Sequence, residues 1–232
     1  MERFAERLES ALGDNLVAAV LYGSAARGTY VKGRSDFNVL VIVRDASAAG
    51  LRPVAGAVAD WAKSGEPPPL ILSEAEWRAS ADVFPIEIED MREAHRLLRG
   101  RDVFEGLETR REDLRQELER EVRGKLLRLR TEYAAAASDG RALGKLLLAS
   151  ASTFLALLRA TLRLAGRVPP REPAPLVRAA AEVTGMDACA FDWVVGRLEG
   201  RDLPPLEPFD AEGARYVDAI ERLARFVDGT RA

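Results

Sequence analysis

Two apolar runs separated by a short polar loop constrain this chain more than any other feature. Leu16 to Tyr22 reads Leu-Val-Ala-Ala-Val-Leu-Tyr, and Val39 to Val43, led in by Phe37-Asn38, reads Val-Leu-Val-Ile-Val. Both are of strand length and neither alternates with polar residues, which predicts central strands buried on both faces. The loop between them opens with Gly23-Ser24-Ala25-Ala26-Arg27-Gly28 and closes with Ser35-Asp36-Phe37-Asn38. A chain that buries these two runs must form a sheet and leave that polar loop at one end of it.

The loop residues are of a kind that handles phosphate. A glycine at the end of a buried strand lets the backbone approach an anion closely, while neighbouring amides and the Ser24 hydroxyl donate to its oxygens. A short helix after Ser24 would turn its positive end to the same anion. Arg27, Lys32 and Arg34 are placed to add charge-assisted contacts. Asp36 and Asn38, two apart at the start of a strand, share one face. Further on, Phe84-Pro-Ile-Glu-Ile-Glu89 alternates, which predicts a half-buried strand with Glu87 and Glu89 together on its polar side. Carboxylates converging from two strands can hold a pair of Mg²⁺ ions for phosphoryl transfer.

Gly23-Ser24 with Gly28, then Ser35-Asp36-x-Asn38 ahead of a hydrophobic strand, resembles the Gly-Ser and Asp-x-Asp signature of the polymerase-β-type nucleotidyltransferase superfamily. Its nearer relatives are the small bacterial and aminoglycoside nucleotidyltransferases. The resemblance implies a mixed-sheet α/β domain, a cleft for a nucleoside triphosphate with Mg²⁺, and transfer of a nucleoside monophosphate to a hydroxyl of a small molecule or protein. It assigns the triphosphate to Ser24, metal to Asp36, and metal binding or general-base work to Glu87, with Glu89 as the lesser candidate. Asn38 stands where the superfamily has its second carboxylate. An amide oxygen can ligate one Mg²⁺ but brings no charge and cannot bridge two ions. Two functional readings follow: a working transferase, or a catalytically silent relative that binds nucleotide as a sensor or a partner as a scaffold.

Around these motifs the chain divides in character. Residues 2 to 12 have an amphipathic helical pattern, Asp45 to Trp61 reads as another helix, and Leu70 to Leu72 reads as a third strand ahead of a Ser73…Glu76 capping box. From about residue 109 onward every pattern is helical, so the expected class is α+β. A nucleotidyltransferase-like α/β domain is expected over 1–108 and an all-helical bundle over 109–232. Leu114, Leu118, Val122, Leu126, Leu129 and Tyr133 stripe one long helix, and Leu143 to Leu164 is apolar round most of its circumference, as a central bundle helix would be. Glu119 to Arg123 and Glu121 to Lys125 are well-oriented pairs, so the basic look of the long helix reads as a salt-bridged surface.

Composition narrows the partners. The net charge of −3 does not favour nucleic acid or an anionic membrane as a partner. One cysteine, Cys189, excludes an internal disulfide and reads as a small core residue; one histidine, His95, excludes a His-rich metal site and reads as an exposed helix residue. The charged N-terminus suggests no signal peptide, and the apolar stretch Leu146 to Leu158 is too short to span a bilayer, so a cytoplasmic protein is expected. The second long helix is apolar enough to allow a homodimer contact.

Overall fold

The computed structural model describes residues 1–28, 30 and 36–230, and its chain divides into two compact units, Met1–Arg110 and Arg111–Ala232. In the first unit, Glu2–Leu12 forms α1, Leu16–Tyr22 β1, Ser24–Arg27 the single turn α2, and Asn38–Val43 β2. Ala48–Leu51 (α3) and Ala55–Lys63 (α4) follow, then Leu70–Ser73 (β3), Glu74–Ala79 (α5), Pro85–Glu93 (α6) and His95–Gly100 (β4). The sheet order is β3-β2-β1-β4, with β1 antiparallel to β2 and β4, and β2 parallel to β3. The two apolar runs are therefore the two inner strands, and both are buried almost throughout.

Because side chains alternate along a strand, each inner strand serves two cores. Ala18, Val20, Leu40 and Ile42 pack with Trp77 of α5, Ile88 and Met91 of α6, and Val103, Phe104 and Leu107. Ala19, Val39, Val41 and Val43 pack on the other face with Phe4, Leu8 and Leu12 of α1 and Ala57 and Trp61 of α4. Phe4 stacks on Trp61 with ring centroids 4.2 Å apart. Apolar positions four apart on α1 are what bury this stripe.

The expected helix over Asp45 to Trp61 is broken. Arg52–Val54 makes a 3₁₀ turn between α3 and α4, because Pro53 supplies no N–H to an α ladder. Ser47 caps α3 by accepting from the Gly50 amide. The Ser73–Glu76 capping box is formed, with both reciprocal bonds present.

The expected strand over Phe84 to Glu89 is a helix. Pro85 occupies the first turn of α6, where its missing N–H costs nothing, and Pro85, Ile88 and Met91 recur every third residue and are buried. The six-residue alternation suited both periods; the burial of Met91, one turn further on, distinguishes them. The strand in this part of the chain is β4, which is partly exposed along its length and carries two arginines, so no apolar run announced it. His95 opens β4 instead of lying on a helix, and its ring packs against Phe104 at 4.3 Å between centroids.

In the second unit, Arg111–Ala136 (α7), Gly140–Leu164 (α8), Pro173–Thr184 (α9), Asp192–Leu198 (α10) and Ala211–Gly229 (α11) form the bundle. Its core joins Leu118, Val122, Leu143, Leu147, Leu158, Leu162, Leu176, Phe191, Tyr216, Ile220 and Leu223. By length and composition α8 is a 25-residue helix apolar enough to cross a membrane. Its buried positions, among them Leu143, Leu147, Phe154, Leu158 and Leu162, account for that apolarity within the bundle. The arginines of α7 are paired with acids, Arg115 and Arg123 with Glu119, Lys125 with Glu121, and Arg128 with Glu132. Cys189 is exposed, not in the core, because Phe191 takes the inward position of the turn Ala188–Phe191. Asp192 and Asp187 push its thiol up from the ordinary value.

Candidate functional site

The antiparallel register fixes what gathers at the end of β1. Tyr22, its last residue, pairs with Asn38 at the start of β2 and with His95 at the start of β4. Directly opposed residues share a face, so Tyr22, Asn38 and His95 lie side by side on the face that α6 covers. The Tyr22 hydroxyl is pushed up from its ordinary value by burial and, secondarily, by the negative charge of Glu87 on α6. The strand-end motif and the helix bearing the acidic residues thus meet at one place.

Gly23 turns the chain there with φ 78° and ψ −150°, a region open essentially to glycine. A Cβ at this position would meet the Asn38 side-chain nitrogen at 3.1 Å, so Asn38 lies against the bare Cα of Gly23. The following α2 is only four residues long, and no side chain caps its start. The expected short helix is a single turn, and one turn has little macrodipole. What the turn offers is its first backbone amides and the half-buried Ser24.

Arg27 ends that turn. Its amide bonds the Gly23 carbonyl at 2.9 Å, and its guanidinium, 4% exposed, reaches Asp90 of α6 at 2.7 Å through Nη2. The other terminal nitrogen, Nη1, is buried with no hydrogen-bond partner. The Arg27 charge, expected to add charge-assisted contacts to an anion, is thus paired with a carboxylate inside the protein.

The helical state of α6 separates the two predicted glutamates. Residues two apart on a helix diverge by about 200°, so Glu87 and Glu89 lie on opposite flanks. Glu89 bonds Arg92 at 2.7 Å and accepts from the Thr109 hydroxyl, away from β1. Glu87 is exposed, and its neighbour on the same flank, one turn on, is Asp90. Asp36 is exposed two residues ahead of Asn38, and the Phe37 amide between them bonds the Glu66 carboxylate at 2.8 Å. Lys32 and Arg34 fall outside the described residues.

Among the described residues no group of three or more His, Cys, Asp or Glu side chains is close enough to hold a metal ion. The pair of Mg²⁺ ions expected from three converging carboxylates therefore has no matching donor set here, since Glu89 is engaged elsewhere and Asn38 is an amide. Asp36 with the Asn38 amide oxygen does suit a single Mg²⁺ that arrives on a triphosphate, because such an ion takes one or two protein ligands and fills its remaining positions from phosphate and water.

Sequence reasoning missed Tyr22, Asp90 and His95. Tyr22 was hidden as the last letter of an apolar run. Asp90 was legible only on a helical reading, in which it is the i+3 partner of Glu87. Elsewhere, a groove of about 380 Å³ between the end of α9 and α11, lined by Gly185, Met186, Asp187, Asp218 and Arg222 among others, contains none of the predicted site residues.

The sequence model of the nucleotidyltransferase domain family matches residues 1–124. No curated protein matches the chain. Among solved structures, the chain is similar to spectinomycin adenyltransferase AAD(9) from Enterococcus faecialis, determined with ATP and spectinomycin. The TM-score is 0.54 at 14% identity, covering 96% of each chain.

Proposed function

Since this chain belongs to the nucleotidyltransferase domain family, with the polymerase-β-type fold and a helical second unit, we propose that it binds a Mg²⁺-nucleoside triphosphate at the Gly23–Ser24 turn and transfers a nucleoside monophosphate to a small-molecule hydroxyl. The observation that carries this reading is the register Tyr22↔Asn38, which sets the Gly-Ser turn beside the Asp36-x-Asn38 segment at one end of the sheet. The turn amides and the Ser24 hydroxyl would take phosphate oxygens, and Asp36 with the Asn38 amide oxygen would hold the triphosphate-borne ion. That ion would withdraw charge from the phosphate under attack. Glu87, exposed on α6 near Tyr22, is the carboxylate assigned to accept the proton of the acceptor hydroxyl. The fold shared with a protein solved with ATP and spectinomycin supports a small molecule as acceptor.

One observation favours a second reading, a silent nucleotide-binding relative. Asn38 lies against Gly23, and on the resemblance it stands for the second carboxylate of the motif, so the charge that would hold a second ion would be missing. The two readings part on Asn38→Asp. A working variant site would lose transfer activity on that change, whereas a degenerate one would gain it.

The first test is calorimetric titration of the four nucleoside triphosphates, with and without Mg²⁺, on the wild type and Asp36→Ala. Metal-dependent binding that Asp36→Ala abolishes is the expected result. Binding indifferent to both metal and Asp36 would remove Asp36 from the site and leave the silent reading. Failure of all four triphosphates to bind would overturn both.

A further inference from the structure

The Arg27 guanidinium is a physical anomaly. It is all but removed from water, carries a full charge, and satisfies one terminal nitrogen on Asp90 while Nη1 has no partner. Buried donors in folded proteins are nearly always bonded, and one left open on a charged group is costly. The open donor belongs to the residue that closes the single turn begun by Gly23, whose own amides are uncapped. Arginine differs from lysine here because its planar fork can serve two anions at once.

We propose that Arg27 is a shared anchor: Asp90 on Nη2 holds its charge in the empty protein, and a phosphate oxygen of the bound polyphosphate takes the open Nη1, so that the two anions compete for one positive charge and not for one donor. This deepens the triphosphate reading of the same turn and rests on it. Asp90 is then a positioning residue that tunes affinity through Arg27 and does not touch the ligand. By linking α2 to α6 it also carries the occupancy of the turn to the helix that bears Glu87.

The competition predicts opposite effects at the two ends of one ion pair. Arg27→Lys keeps the charge beside Asp90 but loses the second donor, so polyphosphate affinity falls by about tenfold, the usual size for a lost bond to a charged group. Asp90→Asn keeps an acceptor for Nη2 but removes its charge. The empty protein is then destabilised by an uncompensated guanidinium, and an arriving anion relieves this, so affinity rises severalfold. A pair that only supports the fold would weaken binding from either end.

The test is titration of the full chain with inorganic tripolyphosphate, with the tightest-binding nucleoside triphosphate and with its phosphate-free nucleoside, alongside thermal midpoints with and without tripolyphosphate. Loss in Arg27→Lys with gain in Asp90→Asn, and an unchanged nucleoside, is the expected pattern. Unchanged or lowered polyphosphate affinity in Asp90→Asn overturns it. Should Arg27→Lys not fold, Asp90→Asn alone decides: a lower empty midpoint with a larger ligand-induced rise supports the competition, and an equal or smaller rise refutes it. If the wild type itself binds no polyphosphate, the reading of the turn fails and this proposal with it, whereas a failure confined to the variants leaves that reading standing.

Discussion

Gly23→Ala tests whether the turn at the end of β1 is built as described. Gly23 has φ 78° and ψ −150°, where a Cβ costs of order 1–3 kcal/mol in backbone strain. The added methyl would also sit 3.1 Å from the Asn38 nitrogen, tighter than ordinary contact, so Asn38 must move away. Gly28 is the natural control: its φ of 84° and ψ of 10° are left-handed helical, and nothing lies within 4 Å of its Cβ position. Gly28→Ala should therefore cost only about 1 kcal/mol, the left-handed penalty alone. Both changes stiffen the unfolded chain equally, so that stabilising term cancels between them. The expected excess for Gly23→Ala is about 2 kcal/mol, roughly a thirtyfold shift in the folding equilibrium. Urea unfolding should be followed by tryptophan fluorescence in a Trp193→Phe background, because the remaining Trp61 and Trp77 both belong to the first unit. The double variant Gly23→Ala/Asn38→Ala should recover the contact part and not the backbone part. If Gly23→Ala is no worse than Gly28→Ala to within about 0.5 kcal/mol, the size of an ordinary surface change, the geometry assigned to the turn is wrong.

Three further outcomes are expected. Burial, ahead of the charges of Asp210, Asp192 and Asp187, pushes the Glu212 carboxyl up from its ordinary value of 4.5, against the lowering effect of Arg215. A raised carboxyl binds its proton more tightly in the folded state, so its contribution is full below that ordinary value and falls as pH rises through the folded one. Glu212→Gln should then melt higher than wild type near neutral pH, with the gain vanishing below about pH 4.5, the ordinary carboxyl range; scanning calorimetry across pH would reveal an unchanging difference if this is wrong. Tyr216 is fully buried, with its hydroxyl 3.1 Å from the Ser150 hydroxyl, and burial pushes its ionisation far up. Tyr216→Phe should cost about 1 kcal/mol, one neutral hydrogen bond, and a cost near zero by denaturant titration would show that bond to be idle. Arg99 on β4 reaches Glu2 at 2.6 Å and Glu9 at 2.9 Å on α1. Arg99→Met should cost little, because the glutamates are exposed, and the cost should shrink in high salt; a salt-independent loss would mean that the arginine stem acts by packing.

The inner part of the first unit was legible because uninterrupted aliphatic runs of strand length, rich in β-branched residues and set between polar turns, favour a doubly buried strand over a helix. The bundle was legible for a related reason: stripes such as Leu114 to Tyr133 run long enough to fix the helical period. Where a run was short, two periods fitted. Phe84 to Glu89 alternates over a window in which Ile86 and Ile88 satisfy a strand and Pro85, Ile88 and Met91 satisfy a helix. Only the core, by burying Met91 together with Val20 and Trp77, selects between them. β4 was invisible from the opposite cause. A strand at the sheet edge needs backbone pairing with β1 more than an apolar sequence, and His-Arg-Leu-Leu-Arg-Gly carries no pattern that backbone pairing would leave.

The same ambiguity decided how much of the site could be read. A strand puts residues two apart together, so it gathers Glu87 and Glu89; a helix puts residues three apart together, so it gathers Glu87 and Asp90. The acidic composition of the segment is identical in both cases, and the period alone determines which carboxylate reaches Arg27 and which is lost to Arg92 and Thr109. The consequence runs through to the chemistry. With Glu89 turned away and Asp90 bound to a buried guanidinium, the proposed function draws on Asp36 and Glu87 among the described carboxylates, one toward an ion and one toward a proton. A donor set of that size makes Asn38 consequential, because Asp90, the next carboxylate along the Glu87 flank of α6, is already held by Arg27. On the proposed function, transfer would turn on two physical quantities: how well a single phosphate-borne Mg²⁺ polarises its phosphate beside an amide, and how Arg27 divides its charge between Asp90 and the ligand.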